Sequence, residues 1–218
     1  SISFLPQKVL CKPYHFLKLS MTDIAIVDYG MGNLRSVSKA LEHVAPTASI
    51  VVTSDPAVVE KASRVVVPGQ GAMPNCIHEL TVRGLKEVVL EAAKNKPFLG
   101  ICLGLQMLFE ESEEGNMKGL GILPGKVRHF LREAMIDADG NKLKVPHMGW
   151  NQVYQTSRHP LWNDIANDAR FYFVHSYYAE LSQHTIAQCD YILPFSAAMH
   201  KDNFFATQFH PEKSAAVG

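Results

Sequence analysis

Four short apolar runs constrain this chain more than any other feature: Ile24-Ala-Ile-Val27, Ile50-Val-Val52, Val65-Val-Val67 and Phe98-Leu-Gly-Ile101. The β-branched runs Ile24–Val27 and Val65–Val67, apolar at every position, mark strands covered on both faces, and the other two read as further short strands. Helical stretches separate them. Asn33 can cap a helix reaching about Val44, with Leu34, Val37, Ala40, Leu41 and Val44 on one face. Ser54 or Asp55 caps a short helix beginning at Pro56. Val82 to Asn95 reads as an amphipathic helix stopped by Pro97, and Leu103 to Glu111 as another. Strands alternating with helices in this rhythm build βαβ units around a parallel sheet. Beyond residue 145 the rhythm changes. Val145–Val153, Ala169–Tyr178, Thr185–Asp190, Ser196–His200 and Phe204–Phe209 read as strands with short connections, an antiparallel extension of the same sheet. The fold class is therefore α/β: one three-layer domain, its central sheet mostly parallel, helices on both faces.

The chain has 218 residues, 47% of them hydrophobic, enough to fill the core of one such domain. Lys plus Arg number 21 and Asp plus Glu 21, so no global charge attracts nucleic acid or an anionic membrane. No apolar run is long enough for a membrane-spanning helix. Cys11, Cys76, Cys102 and Cys189 are widely spaced, which argues against a zinc knuckle or a disulfide scaffold and suits a reducing cytoplasm. The ten histidines show no HxxxH or HExxH spacing, so no metal is expected. Residues 1–20 carry Lys8, Lys12 and Lys18 and no acid. They lack an Arg-rich amphipathic helix and an uninterrupted apolar core, so they read as an extension before a domain spanning 21–218 rather than as a targeting peptide.

Gly100-Ile-Cys102-Leu-Gly104 has the form Gly-x-nucleophile-x-Gly, between an expected strand and an expected helix. Small neighbours permit the tight turn that lifts a nucleophile out of the sheet at its carboxyl edge, where open α/β folds bind ligands. The N–H groups opening the next helix point toward the sulfur, and that of Leu103 is placed to stabilise an oxyanion. A lone cysteine is more often a small buried apolar residue. Here Gln208-Phe-His210-Pro-Glu212 supplies partners. Residues two apart on an extended segment face the same way, so Glu212 can orient His210, and His210 can draw the proton from Cys102. The order Cys, His, Glu differs from the nucleophile, acid, His order of α/β-hydrolases.

Gly100-Ile-Cys-Leu-Gly-Leu-Gln106 together with Gln208-Phe-His-Pro-Glu-Lys-Ser214 resembles the class I, triad-type glutamine amidotransferases, from Met21 to the end of the chain. The resemblance implies a flavodoxin-like arrangement of the α/β domain. Within that superfamily, Asp28-Tyr-Gly-Met-Gly-Asn-Leu34, Pro68-Gly-Gln-Gly-Ala72, Pro146-His-Met-Gly-Trp-Asn151 and Phe173-Val-His-Ser-Tyr-Tyr178 are most similar to the glutaminase subunits of imidazole glycerol phosphate synthases. It implies that Cys102 attacks the glutamine carboxamide, that water hydrolyses the γ-glutamyl thioester, and that ammonia passes to a (β/α)₈-barrel cyclase subunit in a heterodimer of histidine biosynthesis. By position it implies that Gly69, Gln70 and Gly71 form the oxyanion strand. Gln106, Glu110, Ser176 and Tyr177 would hold the substrate, Gln106 lying one helical turn after Cys102 and Glu110 one turn further. Pro146, His147, Met148, Gly149, Trp150 and Asn151 would form the loop facing the cyclase. No cofactor is implied. A closing helix would be expected where the chain stops at Gly218.

Two other functions compete. A γ-glutamyl hydrolase or an amidotransferase of another pathway shares the elbow and the His-Pro-Glu segment, and Pro146–Asn151 argues against it. A catalytically idle regulatory subunit would have no need of a matched nucleophile, base and orienter.

Overall fold

The computed structural model describes residues 22–130, 136 and 139–218. The elements run β1 (Ile24–Val27), α1 (Leu34–Val44), β2 (Ile50–Thr53), α2 (Pro56–Lys61), β3 (Arg64–Gly69), α3 (Met73–Val82), α4 (Lys86–Asn95), β4 (Phe98–Cys102) and α5 (Leu103–Gln106). The second half is mostly strands: β5 (Phe109–Ser112), β6 (Met117–Lys118), β7 (Leu123–His129), β8 (His147–Gln152), β9 (Tyr154–Gln155), β10 (Arg170–His175), β11 (Tyr177–Ala179), β12 (Thr185–Tyr191), β13 (Leu193–Lys201) and β14 (Phe204–Thr207).

The central sheet has the order β2-β1-β3-β4-β14-β13-β12-β9. From β2 to β14 the neighbours are parallel, and from β14 outward they are antiparallel. The alternation of side chains along the parallel strands fills two layers at once. Ala25, Val27, Val65, Val67 and Phe98 face the core beneath α3 and α4, while Ile24, Ile26, Val66 and Ile101 face Val37 of α1. A third core, containing Phe130, Trp162, Phe171, Phe173, Phe195 and Phe209, packs against the antiparallel half. Local chemistry sets the helix starts. Asn33 Oδ1 accepts from Ser36 N–H at 3.3 Å, and Asp55 Oδ1 from Ala57 N–H at 2.9 Å, just before Pro56.

The structure departs from the sequence reading in four places. The helix expected over 82–95 begins only at Lys86, because Gly84 takes φ +68, and a helix that the sequence reading did not identify, α3, ends at Val82 just before it. The helix expected over 103–111 stops at Gln106. The carbonyls of Met107, Leu108 and Phe109 are claimed by Leu120, Ile122, Leu123 and Gly121 N–H instead of by the next helical turn, and β5 results. The strand expected over 169–178 breaks at Ser176 into β10 and β11. Finally, β8 and β10 leave the central sheet to pair with each other, while β11, β7, β5 and β6 form a four-stranded sheet. Residues 1–20 lie outside the described residues.

Candidate active site

The nucleophile elbow depends on close backbone approach. A Cβ on Gly104 would stand 2.0 Å from the Val67 carbonyl oxygen, and one on Gly100 would stand 2.5 Å from the Gly104 carbonyl oxygen. Glycine at both positions therefore lets α5 press onto β3 and β4. The turn between strand and helix forces Cys102 to φ 55, ψ −106, a conformation rarely populated by residues with a side chain. With only four residues α5 has no appreciable macrodipole. The N–H groups of its first turn are the donors that this end of the helix offers.

Gly69 pairs in register with Cys102 across β3 and β4. The segment that follows is pinned from behind. Tyr29 O–H donates to the Pro68 carbonyl at 2.6 Å, and Cys76 S–H to the Gln70 carbonyl at 3.6 Å. Burial pushes the Cys76 thiol up to about 11, which keeps it protonated. Because a trans peptide points its C=O and N–H in opposite directions, the Gly71 N–H is turned away from Cys76. Gln70, Gly71, Cys102, Leu103 and Gln106 line one wall of a cavity of about 420 Å³. Glu114, Pro146, Val174, His175, Ser176, Tyr177, His210 and Lys213 complete it.

His210 is buried, and its Nδ1 lies 2.7 Å from Glu212 Oε1. The contact is made by a 3₁₀ turn over Pro211–Lys213 rather than by the extended segment expected from the sequence. That turn is anchored on β10. His210 N–H donates to the Tyr172 carbonyl, Tyr172 N–H donates to Ser214 Oγ, and the Ser214 hydroxyl donates to the His210 carbonyl at 2.6 Å. With Nδ1–H given to Glu212, Nε2 is left as the basic nitrogen, and it has no hydrogen-bond partner in the resting site. Burial opposes a charge on this imidazole, but the Cys102 sulfur and the Glu212 carboxylate outweigh it and raise the pKa to about 9. The resting Cys102 Sγ points to the Val174 carbonyl at 3.9 Å and receives an N–H from Gln208 Nε2 at 3.6 Å.

A buried polar chain crosses the site toward β8. Asn151 Oδ1 accepts from Gln152 N–H, so Asn151 Nδ2 is the end that donates to the Asp190 carbonyl and to His147 Nε2. His147 must then carry its proton on Nδ1 and donate to His175 Nε2 at 3.0 Å. His175 in turn donates from Nδ1 to the Tyr177 carbonyl at 2.7 Å. Both rings are neutral. Burial lowers His147 to about 4, and burial with the neighbouring His147 lowers His175 to about 3. Gln106 Nε2 donates to the same Tyr177 carbonyl at 3.0 Å, which leaves Gln106 Oε1 buried, unpaired and able to accept from a ligand.

Several expected residues move. Glu110 lies on β5, where Oε2 accepts from Gly125 N–H at 3.0 Å, and it takes no part in the cavity. Glu114 is the acid in the wall. Its carboxylate accepts from Met73 N–H at 3.0 Å, and burial raises its pKa. Spacing from Cys102 misplaced this acid because it assumed a continuous helix. Pro146–Asn151 is largely strand β8, not a loop. His147 is not on the surface: it is stacked on Tyr191 with ring centroids 3.9 Å apart. Met148 (63% exposed) and Trp150 (46%) lie two apart on the outer face of β8. Gln208 and Ser214 were not singled out in the sequence. Their only signal was adjacency to His210 and Glu212. Among the described residues no group of three or more His, Cys, Asp or Glu is arranged to hold a metal ion.

The sequence profile of class I glutamine amidotransferases matches residues 25–218. The chain belongs to the class I glutamine amidotransferases. Among curated members of this family, it is 67% identical over 199 residues to the imidazole glycerol phosphate synthase subunit HisH of Nitrosospira multiformis, covering 91% of this chain and 94% of that one. It is 62% identical over 200 residues to the subunit of the same name from Nitrosomonas europaea, covering 91% and 94%. Solved amidotransferase structures share the fold at low identity. One glutamine amidotransferase crystal structure aligns with TM-score 0.64 at 16% identity over 87% of this chain and 90% of that one. The glutaminase domain of Trypanosoma brucei CTPS aligns with TM-score 0.58 at 18% identity over 87% and 85%.

Proposed function

We propose that this amidotransferase is the glutaminase subunit of an imidazole glycerol phosphate synthase, with Cys102 as nucleophile, His210 as general base and acid, and Glu212 as its orienting partner. The observation that carries the chemistry is the convergence of Cys102 and His210 Nε2 on one cavity while Glu212 holds Nδ1 from behind. His210 takes the thiol proton, and Cys102 Sγ attacks the carboxamide carbon of glutamine. The tetrahedral oxyanion is met by the N–H of Leu103 and those of the Gly69–Gly71 segment. His210 then protonates the departing ammonia, and water attacks the thioester to release glutamate. Gln106 Oε1 offers the substrate an acceptor, and the Glu114 carboxylate suits its α-ammonium. Ser176 and Tyr177 shape the remaining wall.

Ammonia leaves toward a cyclase subunit, a (β/α)₈ barrel docked in a heterodimer on the face that carries Met148 and Trp150. Two exposed apolar side chains alternating along one strand suit an interface anchor. Free buried thiols suit a reducing cytoplasm, and no helix among the described residues is long and apolar enough to cross a membrane. The test is glutamate release from glutamine with and without the cyclase and its phosphoribulosyl aminoimidazole carboxamide substrate. Strong release only in the full mixture supports the reading. Brisk release by the chain alone, indifferent to the cyclase, would keep the triad and reassign the pathway.

A further inference from the structure

We infer that Gln208 is a further catalytic residue, whose side-chain N–H donates to the Cys102 sulfur and stabilises it as an anion. The inference rests on the reading of Cys102 as the nucleophile. Gln208 is fully buried, and its Nε2 lies 3.6 Å from Cys102 Sγ. An amide can present either end to a neighbour, so its orientation must be argued. Here the surroundings allow one choice. The Tyr177 backbone carbonyl can only accept, so the end of Gln106 that touches it is Nε2. The same Nε2 stands 2.9 Å from Gln208, which must therefore offer its oxygen there. The Gln208 nitrogen is left facing the sulfur.

The backbone of Gln208 is held as well, its N–H donating to the Ala197 carbonyl at 2.8 Å. Rotating the amide would set two nitrogens against each other at Gln106, a buried contact in which neither can accept, and unpaired polar groups cost most when buried. Hydrogen bonds to charged groups are the strong class, and an anionic sulfur with a buried N–H beside it belongs to that class. The donation strengthens as the thiol gives its proton to His210, so it favours the attacking form over the resting one.

The test uses the full chain assembled with its cyclase, and the variants Gln208→Met and Gln208→Glu. Both keep the length of the side chain and remove the donor. Gln208→Glu still offers an oxygen to Gln106. Three quantities are measured at pH 7: kcat and KM for glutamine, and the rate of Cys102 alkylation by iodoacetamide, with the adduct located by mass spectrometry. In a folded Gln208→Met variant, kcat and the alkylation rate should both fall about 10- to 100-fold, with KM within about twofold of the parent. Gln208→Glu should fall at least as far. Alkylation within twofold of the parent in a folded variant overturns the inference. So does a rise in KM alone, since that marks a pocket wall and not a sulfur donor. Should Gln208→Met fail to give a cooperative melt, Gln208→Glu decides by the same criteria. An adduct in the parent that maps away from Cys102, or full turnover by Cys102→Ala, would overturn the nucleophile reading itself and Gln208 with it.

Discussion

Replacing Gly104 by alanine isolates the closeness of α5 to the sheet from every other property of the elbow. The added Cβ would begin 2.0 Å from the Val67 carbonyl oxygen. Ordinary contact requires the two atoms to part by a further 1.4 Å or about that much. Both are backbone or backbone-attached, so no side chain can swing aside. Overpacking of this kind costs about 1–3 kcal/mol, and here the upper end applies. In a domain of this size a loss of about 3 kcal/mol lowers the melting temperature by roughly 6–12 °C. The same displacement separates Leu103 from the Gly69–Gly71 segment by about an ångström. Misplacing an oxyanion donor that far costs about 10²-fold in turnover. The assay pairs a thermal melt with glutamate release in the presence of the cyclase. Gly125→Ala is the control. Its Cβ meets nothing within 4 Å, although φ is +103, so only about 1–2 kcal/mol of backbone strain and no loss of turnover are expected. A Gly104→Ala protein melting within about 2 °C of the parent, with turnover within twofold, would refute the argument that the elbow is set by this contact.

Cys102→Ser should lose nearly all glutaminase activity, on the order of 10³-fold or more, while still binding the cyclase; a pull-down with a glutamate assay checks both. Glu114→Gln should raise KM for glutamine about tenfold with kcat little changed, whereas Glu110→Gln should leave both alone; steady-state kinetics on the pair would expose an exchange of roles. Stability should peak near pH 6.5, and denaturation midpoints between pH 4 and 9.5 read it. An unfolded histidine titrates near 6.5. His147 and His175, held down at about 4 and 3, contribute stability that is complete above that value and is lost as pH falls toward theirs. His210, raised to about 9, contributes stability that is complete below 6.5 and is lost as pH rises through 9. His210→Gln should flatten the alkaline limb and leave the acid limb in place.

The parallel half of the fold was legible because its strands are apolar at every position and its caps are conventional. Asn33 and Asp55 do what their residue types suggest. Cys102, His210 and Glu212 were legible as candidates for a similar reason: each lies in a short motif whose chemistry is local. Long-range competition for backbone groups was not legible. Nothing in Leu105 to Glu111 announces that residues 119–123 will take the carbonyls a helix would need, and that one event turned Glu110 outward and brought Glu114 to the cavity. The Asn151–His147–His175 chain was hidden for the complementary reason. His147 and His175 are 28 residues apart in sequence, and only the pairing of β8 with β10 joins them. Ser176 divided a strand whose hydrophobic pattern runs on across the break, and the helix over Met73–Val82, with no side-chain cap at Ala72, was missed altogether.

The left-handed backbone at Cys102 bears on how such a chain would decay. A side chain held in a rarely populated conformation costs about 1–3 kcal/mol, which glycine would largely avoid. Stability and chemistry therefore pull in opposite directions at this one codon. When demand for ammonia lapses, drift should favour Cys102→Gly over the shorter chemical step to serine, and the idle product should melt higher than its working parent. A library sorted for thermostability alone would be enriched in silenced enzymes, and glycine at this position would be their signature.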